Sequence, residues 1–232
     1  MPELFHLPGF DDPFSAISHL CGAVLFVVLG ALLLRRGRGD RARVALLGVY
    51  AFACVALFAL SGTYHMMTVG GTARRVMQRL DHAAIFVLIA GTFTPAHGIL
   101  FRGPMRWVPL VLVWSAAAFG IVLKGAYMDA VPESVGLSIY LATGWLGAVA
   151  VVVLWRRHGW AFVRPLALGG VAYTAGAATE FLFRWPVLVP GVIHPHEVFH
   201  VAVLAGALWH FAFIWRFADG RVPDPVRPGR RE

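Results

Sequence analysis

Seven apolar stretches, each long enough to cross a bilayer and nearly free of charge, dictate what this chain can fold into. They lie near 14–34, 44–65, 83–100, 107–123, 135–155, 165–183 and 198–215. A helix needs about 20 apolar residues to traverse roughly 30 Å of hydrocarbon, and each stretch is of that order. Within lipid the backbone must satisfy its own polar groups, so a span is either a helix or a strand of a closed barrel. The two-residue alternation of a barrel strand is missing from these runs. The expectation is an all-α membrane protein, a seven-transmembrane helix bundle occupying one domain, residues 1–218. The Pro/Gly/Arg-rich tail, 219–232, is expected to be disordered.

Composition excludes the main alternative. Of 232 residues 59% are hydrophobic and 14% charged, whereas a soluble domain is roughly half apolar and a quarter charged. The formal charge of +8 would suit nucleic acid only if it formed a continuous basic face. The basic residues instead sit in short clusters between apolar runs, so nucleic acid is not an expected partner. Loops 35–43, 101–106 and 156–164 and the C-terminal tail share one side of the membrane and hold 15 of the 20 Lys+Arg. Positive residues favour the cytoplasm, which sets the N-terminus outside and the C-terminus inside. Trp107, Trp155, Trp160 and Trp215 lie near the basic ends of their spans, as headgroup anchors do.

Glu3, Asp11 and Asp12 precede the first stretch, where a cleavable signal would carry positive charge, so the first helix is expected to persist in the mature protein. Cys21 and Cys54 fall inside spans without a C-x-x-C and are expected to be buried, inert thiols. Neither a Gly-rich phosphate loop nor a dinucleotide fingerprint occurs.

The chemistry gathers at span ends. Ser61-Gly62-Thr63-Tyr64-His65 closes the second span, Arg79-Leu80-Asp81-His82 opens the third, and His194-Pro195-His196-Glu197-Val198-Phe199-His200 opens the seventh. Alternation of the spans brings these three segments to one face, with His19 of the first span at the same level. Ionisable groups are costly in a membrane protein and mark function by default. His196 and His200 are one helical turn apart and stack on one side, a spacing that lets two imidazoles hold one ion. His65 would complete a three-histidine site with one open position, the pattern of catalytic zinc. Imidazole suits zinc, and the spacing is also compatible with iron or another transition metal. Asp81 is the expected acid beside the ligands. His6, His97, His158 and His210 have weaker claims.

His196-Glu197-Val198-Phe199-His200 also reads as H-E-x-x-H, the metalloprotease signature in which Glu is the general base. In a membrane helix that would indicate an intramembrane protease, which needs a third ligand from a distant helix.

These residues resemble the hemolysin III proteins, the bacterial branch of the progestin and adipoQ receptor superfamily, which is related to the alkaline ceramidases. The resemblance covers nearly the whole chain. It rests on Ser15-Ala16-Ile17-Ser18-His19, the Ser61 to His65 segment, Leu80-Asp81-His82-Ala83-Ala84-Ile85 running to Ala90-Gly91-Thr92-Phe93-Thr94-Pro95, Gly144-Trp145-Leu146, and His196 to His200 with Gly206 and His210. It implies zinc held by His65, His196 and His200, with Ser61 and Asp81 beside it, in a bacterial plasma membrane. The implied chemistry is hydrolysis of a lipid amide or ester. Asp81 would hold or deprotonate a water, Ser61 would stabilise the oxyanion, and the bundle would admit an acyl chain from membrane lipids. A zinc-stabilised receptor or sensor of membrane lipids without turnover is the non-enzymatic alternative, and a hemolytic pore is a third. Receptor members carry a cytoplasmic N-terminus, opposite to the orientation that the charge distribution gives here.

Overall fold

The computed structural model describes residues 7–183 and 185–225; of the expected tail, residues 226–232 lie outside the described residues. Seven helices follow in chain order: α1 Pro13–Arg36, α2 Arg41–Met66, α3 Thr72–Leu100, α4 Pro104–Tyr127, α5 Ser134–His158, α6 Trp160–Ala177 and α7 Pro195–Trp215. Apart from two isolated bridges, no strand pairing occurs among the described residues. Six of the seven are long and apolar enough to cross a membrane. The exception is α6, where Arg164, Gly169 and Gly170 dilute the apolar character.

Local chemistry sets the helix ends. Pro13, Pro104 and Pro195 open α1, α4 and α7 in the first turn, where a missing N–H costs nothing. Asp40 caps α2 by accepting from the Arg43 backbone N–H at 3.1 Å. Within α5 the helix is broken into two pieces, the first beginning one residue before the apolar span (Glu133–Trp145) and the second Gly147–His158, and the break falls between Gly144 and Gly147, residues that lower the cost of leaving the helix. A π turn, Ala178–Phe183, extends α6.

Two helices overrun their apolar stretches. Charged residues beyond the hydrocarbon do not end a helix, so α3 begins at Thr72 and takes in Asp81 and His82, while α4 continues to Tyr127 and takes in Lys124.

Successive helices pack as neighbours, and α7 returns onto α1 to close the ring. The central element is α3, which also touches α5 and α7; 67% of its most apolar window is buried, against 22% for α5. Small residues permit the close approaches that helix association in lipid relies on. A Cβ at Gly30 would stand 2.9 Å from the Ala51 Cβ, and one at Gly91 2.6 Å from that of Ala53. Phe26, Phe58, Phe213 and Phe217 fill the core, and the buried Tyr50 hydroxyl donates to the Ala207 carbonyl at 2.8 Å. Phe52, Val111, Phe119, Val122 and Val149 turn outward, an apolar exterior suited to lipid. The thiols differ from expectation, because Cys54 is buried while Cys21 faces outward. Residues just past α7 are tied to the bundle, Asp219 to Arg36 at 3.2 Å and the Pro223 carbonyl to His158 at 2.9 Å.

Substituting Gly91 by Val would force a side chain into Ala53 and is expected to cost about 1–3 kcal/mol, read as a lower melting temperature in detergent. Gly170→Ala, where nothing lies within 4 Å, is expected not to lower it.

Candidate metal centre

His65 lies in the last turn of α2, and His196 and His200 in the first turns of α7. One ligand nitrogen from each lies within 4.8 Å of the others, and this group could hold a metal ion. Ring centroids stand 4.7 Å apart for His65 and His200 and 4.5 Å for His196 and His200.

The hydrogen bonds of the outer ring nitrogens set the tautomers. His65 Nδ1 donates to Asp12 Oδ2 at 2.9 Å, and His196 Nδ1 donates to Glu180 Oε1 at 3.3 Å. In a neutral imidazole the other nitrogen then carries a lone pair. The two Nε2 atoms so defined face each other at 3.4 Å. Two nitrogens, each about 2.0–2.1 Å from one tetrahedral zinc, would stand about 3.3–3.4 Å apart. Lone pairs at that separation repel unless a cation or a proton lies between them. A carboxylate on the outer nitrogen of each of two histidines is the usual support for imidazole ligands, so the residues present fit a metal. The His200 ring completes the fit, with a buried Nδ1 that has no hydrogen-bond partner among the described residues.

The supporting acids are themselves held. Arg74 donates to Asp11 at 2.8 Å and to Asp12 at 2.9 Å, contacts the Met67 carbonyl, and lies over the Tyr64 ring at 4.8 Å. The Asp12 backbone N–H donates to the His65 carbonyl at 3.0 Å. The segment before α1 is thereby pinned across the end of α2. Burial raises the Asp12 carboxyl, but its bonds to His65 and Arg74 outweigh that and hold it below the ordinary carboxylate value. The π turn after α6 carries Glu180 to His196, in keeping with the frequent placement of π turns at functional sites.

The remaining candidates fall as follows. Ser61, one turn before His65 on α2, and Asp81, in α3, are both buried. His19 stands outside the trio: its ring stacks on His200 at 4.0 Å, and its Nε2 donates to the His200 carbonyl at 3.3 Å. Glu197 is committed elsewhere, with Oε1 accepting from Ser15 Oγ at 3.0 Å and Oε2 from the His194 N–H at 2.9 Å. It caps α7, and both oxygens make structural bonds, to Ser15 and to the start of its own helix. His97 and His210 bond backbone carbonyls away from the trio, of Met105 and Leu166, and His6 lies outside the described residues.

Asp12 and Glu180 were not expected in this role. Glu180 had a signal, being the one acid inside an apolar stretch. Asp12 had none, because a residue preceding a span reads as a cap or an interfacial charge until the fold brings it to His65.

Residues 10–211 match the family described as Haemolysin-III related. The chain is 31% identical over 202 residues to Hemolysin-3 of Bacillus cereus, spanning 85% of this chain and 87% of that protein. It is 25% identical over 208 residues to Monocyte to macrophage differentiation factor of Homo sapiens, 86% and 82% of the two chains. Heptahelical transmembrane protein ADIPOR2 of Oryza sativa subsp. japonica is 30% identical over 184 residues, 72% and 79% of the two.

Removing either supporting acid, in Asp12→Ala or Glu180→Ala, is expected to weaken metal binding about 10- to 100-fold, measured by competition with a chelating dye. Glu197→Gln is expected to leave that affinity unchanged and to lower the melting temperature.

Proposed function

This chain belongs to the haemolysin-III-related family, as an integral membrane protein of seven helices, and we propose that it is a zinc-dependent hydrolase of lipid amide or ester bonds in the bacterial plasma membrane. The reading is carried by the two imidazole lone pairs of His65 and His196 facing each other at 3.4 Å, each set by a carboxylate on the opposite ring nitrogen.

His65, His196 and His200 would hold the ion. When bound, zinc polarises a carbonyl and makes water acidic enough to lose a proton near neutral pH. Asp81 accepts a proton from the attacking water and returns it to the departing amine or alkoxide. The Ser61 hydroxyl donates to the oxygen on which charge develops. Beneath the trio, His19 packs edge-on against Phe58, with ring centroids 5.0 Å apart, and Phe58 stacks on Phe26 at 5.3 Å. These rings place apolar packing between α1 and α2 directly below the site. It supports a site at one end of the bundle over an open pore. An acyl chain enters from the surrounding lipid, and the 15 basic residues on the opposite face orient the trio to the outside, with the C-terminus cytoplasmic.

Purified protein given ceramide-type amides and acyl esters is expected to release fatty acid, to lose activity in His200→Ala, and to recover after chelation when zinc is returned. Asp81→Asn is expected to lower kcat about 100- to 10,000-fold. Zinc-loaded, folded protein that cleaves none of these substrates would overturn the hydrolase and favour a zinc-stabilised lipid sensor. A reporter fused after Glu232 is expected to be active in the cytoplasm; activity confined to the outside would reverse the orientation.

A further inference from the structure

The connection between α6 and α7 is apolar where a loop in water is polar. Residues 185–193 run Trp185-Pro186-Val187-Leu188-Val189-Pro190-Gly191-Val192-Ile193, with Arg184 before them and His194 after. None of these side chains carries a charge or a hydroxyl. Trp185 is nevertheless 70% exposed and Leu188 61%, and Val187, Val189 and Val192 are exposed as well. The other connections on the metal side differ. The one after α2 exposes a single large apolar residue, Val69, between Thr68 and two glycines, and the one after α4 exposes Asp129.

The backbone of this connection is satisfied from within. Pro186 and Pro190 have no N–H. The Trp185 N–H donates to the Thr179 carbonyl at 3.3 Å, Leu188 and Val189 donate to the Ile193 carbonyl at 3.0 and 3.2 Å, and Val192 and Ile193 donate to the Val189 carbonyl at 3.0 and 2.8 Å. Gly191, with φ at 78°, makes the turn, and its N–H donates to His194 Nε2 at 3.0 Å. That leaves only the Val187 N–H without a partner among the described residues. In water a loop can leave such groups to the solvent. An apolar medium requires that they be paired.

An exposed apolar patch marks contact with another protein or with a membrane. Here it continues a surface that already faces lipid, because Val171 of α6, Leu182 of the π turn and Val201 of α7 turn outward on either side of it in the chain. Trp185 at its start is the residue type that settles at the headgroup boundary. The geometry points to an interfacial anchor: residues 185–193 sink their apolar side chains about 5–10 Å into the boundary of headgroups and acyl chains, in the leaflet that the histidine trio faces. Both ends of the anchor are tied to that site. Trp185 bonds the carbonyl of Thr179, the residue before Glu180, and His194, which accepts from Gly191, begins the helix that carries His196 and His200. The anchor therefore sets the depth of the trio in the membrane, whether or not the trio turns a lipid over.

The test is a depth measurement on the full chain in phosphatidylglycerol and phosphatidylcholine vesicles. A Cys21→Ser background removes the exposed thiol, and Leu188→Cys or Val192→Cys then receives a nitroxide. Power saturation compares access of oxygen, which concentrates among acyl chains, with access of a water-soluble nickel chelate. Phe52→Cys on the outward face of α2 is the lipid reference, and Val69→Cys is the aqueous one. The oxygen-to-nickel ratio at 188 and 192 is expected to lie several-fold above that at 69 and to approach that at 52. All four side chains face outward, so the variants are expected to melt as the background does. Adding Leu188→Asp to the Val192→Cys chain is expected to raise nickel access at 192 several-fold, as the charge draws the segment toward water. A ratio at 188 and 192 equal to that at 69 would overturn the anchor. Low access of both reagents with spin–spin broadening would overturn it too, in favour of a second copy of the chain on this surface. Nickel access at 192 that is unmoved by Leu188→Asp would overturn the claim that these side chains hold the segment in the membrane.

Discussion

The carboxylates of Asp12 and Glu180 accept hydrogen bonds from the Nδ1 N–H groups of His65 and His196, and the character of the site depends on that choice. Had either ring carried its proton on Nε2, the 3.4 Å contact between them would be an ordinary hydrogen bond and the cluster a polar plug in the bundle. With both protons held outward, two lone pairs converge between a buried His65 and a partly exposed His196. The acids that impose this arrangement come from outside the seven regular helices, one from the segment before α1 and one from the π turn after α6. Arg74 anchors the first by bridging Asp11, Asp12 and the end of α2.

The bundle supplies what a site of this kind needs at little apparent cost to its packing. The helices that carry the trio, α2 and α7, are distant in sequence and meet because α7 closes the ring onto α1 while α3 occupies the centre. Pro195 and the Glu197 cap start α7 at the point that puts His196 and His200 opposite His65. Below them His19 meets Phe58 edge-on and Phe58 stacks on Phe26, so the polar end passes into aromatic packing. Polar groups therefore concentrate at one end of the molecule, and the opposite end carries most of the basic residues.

Much of this was legible in the sequence because the signals are local or follow from topology. Seven apolar runs translate directly into helices when lipid forbids other backbone structures, and alternation of spans brings the end of the second and the start of the seventh to one face. His196 and His200 declare a shared side by their spacing alone. Pairings that depend on where loops and helix ends fold back were not legible. Asp12 reaches His65 only because Arg74 pins the segment before α1. Glu197 looked catalytic in the H-E-x-x-H pattern, yet Ser15 of another helix and the start of its own helix use both oxygens. Lys124 read as a loop residue, because a boundary drawn where apolar residues end stops α4 before its last turn. The outward turn of Cys21 was hidden for a related reason: an apolar run identifies a span but not which side of it meets lipid.

The measurement that bears most directly on the central claim is X-ray absorption at the zinc edge, on protein isolated from zinc-replete cells. The facing imidazoles predict one zinc per chain with three nitrogen ligands at about 2.0–2.1 Å, completed by a single oxygen, and loss of that nitrogen shell in His200→Ala. Folded protein that retains no metal, or a spectrum dominated by sulfur and unchanged in His200→Ala, would contradict it.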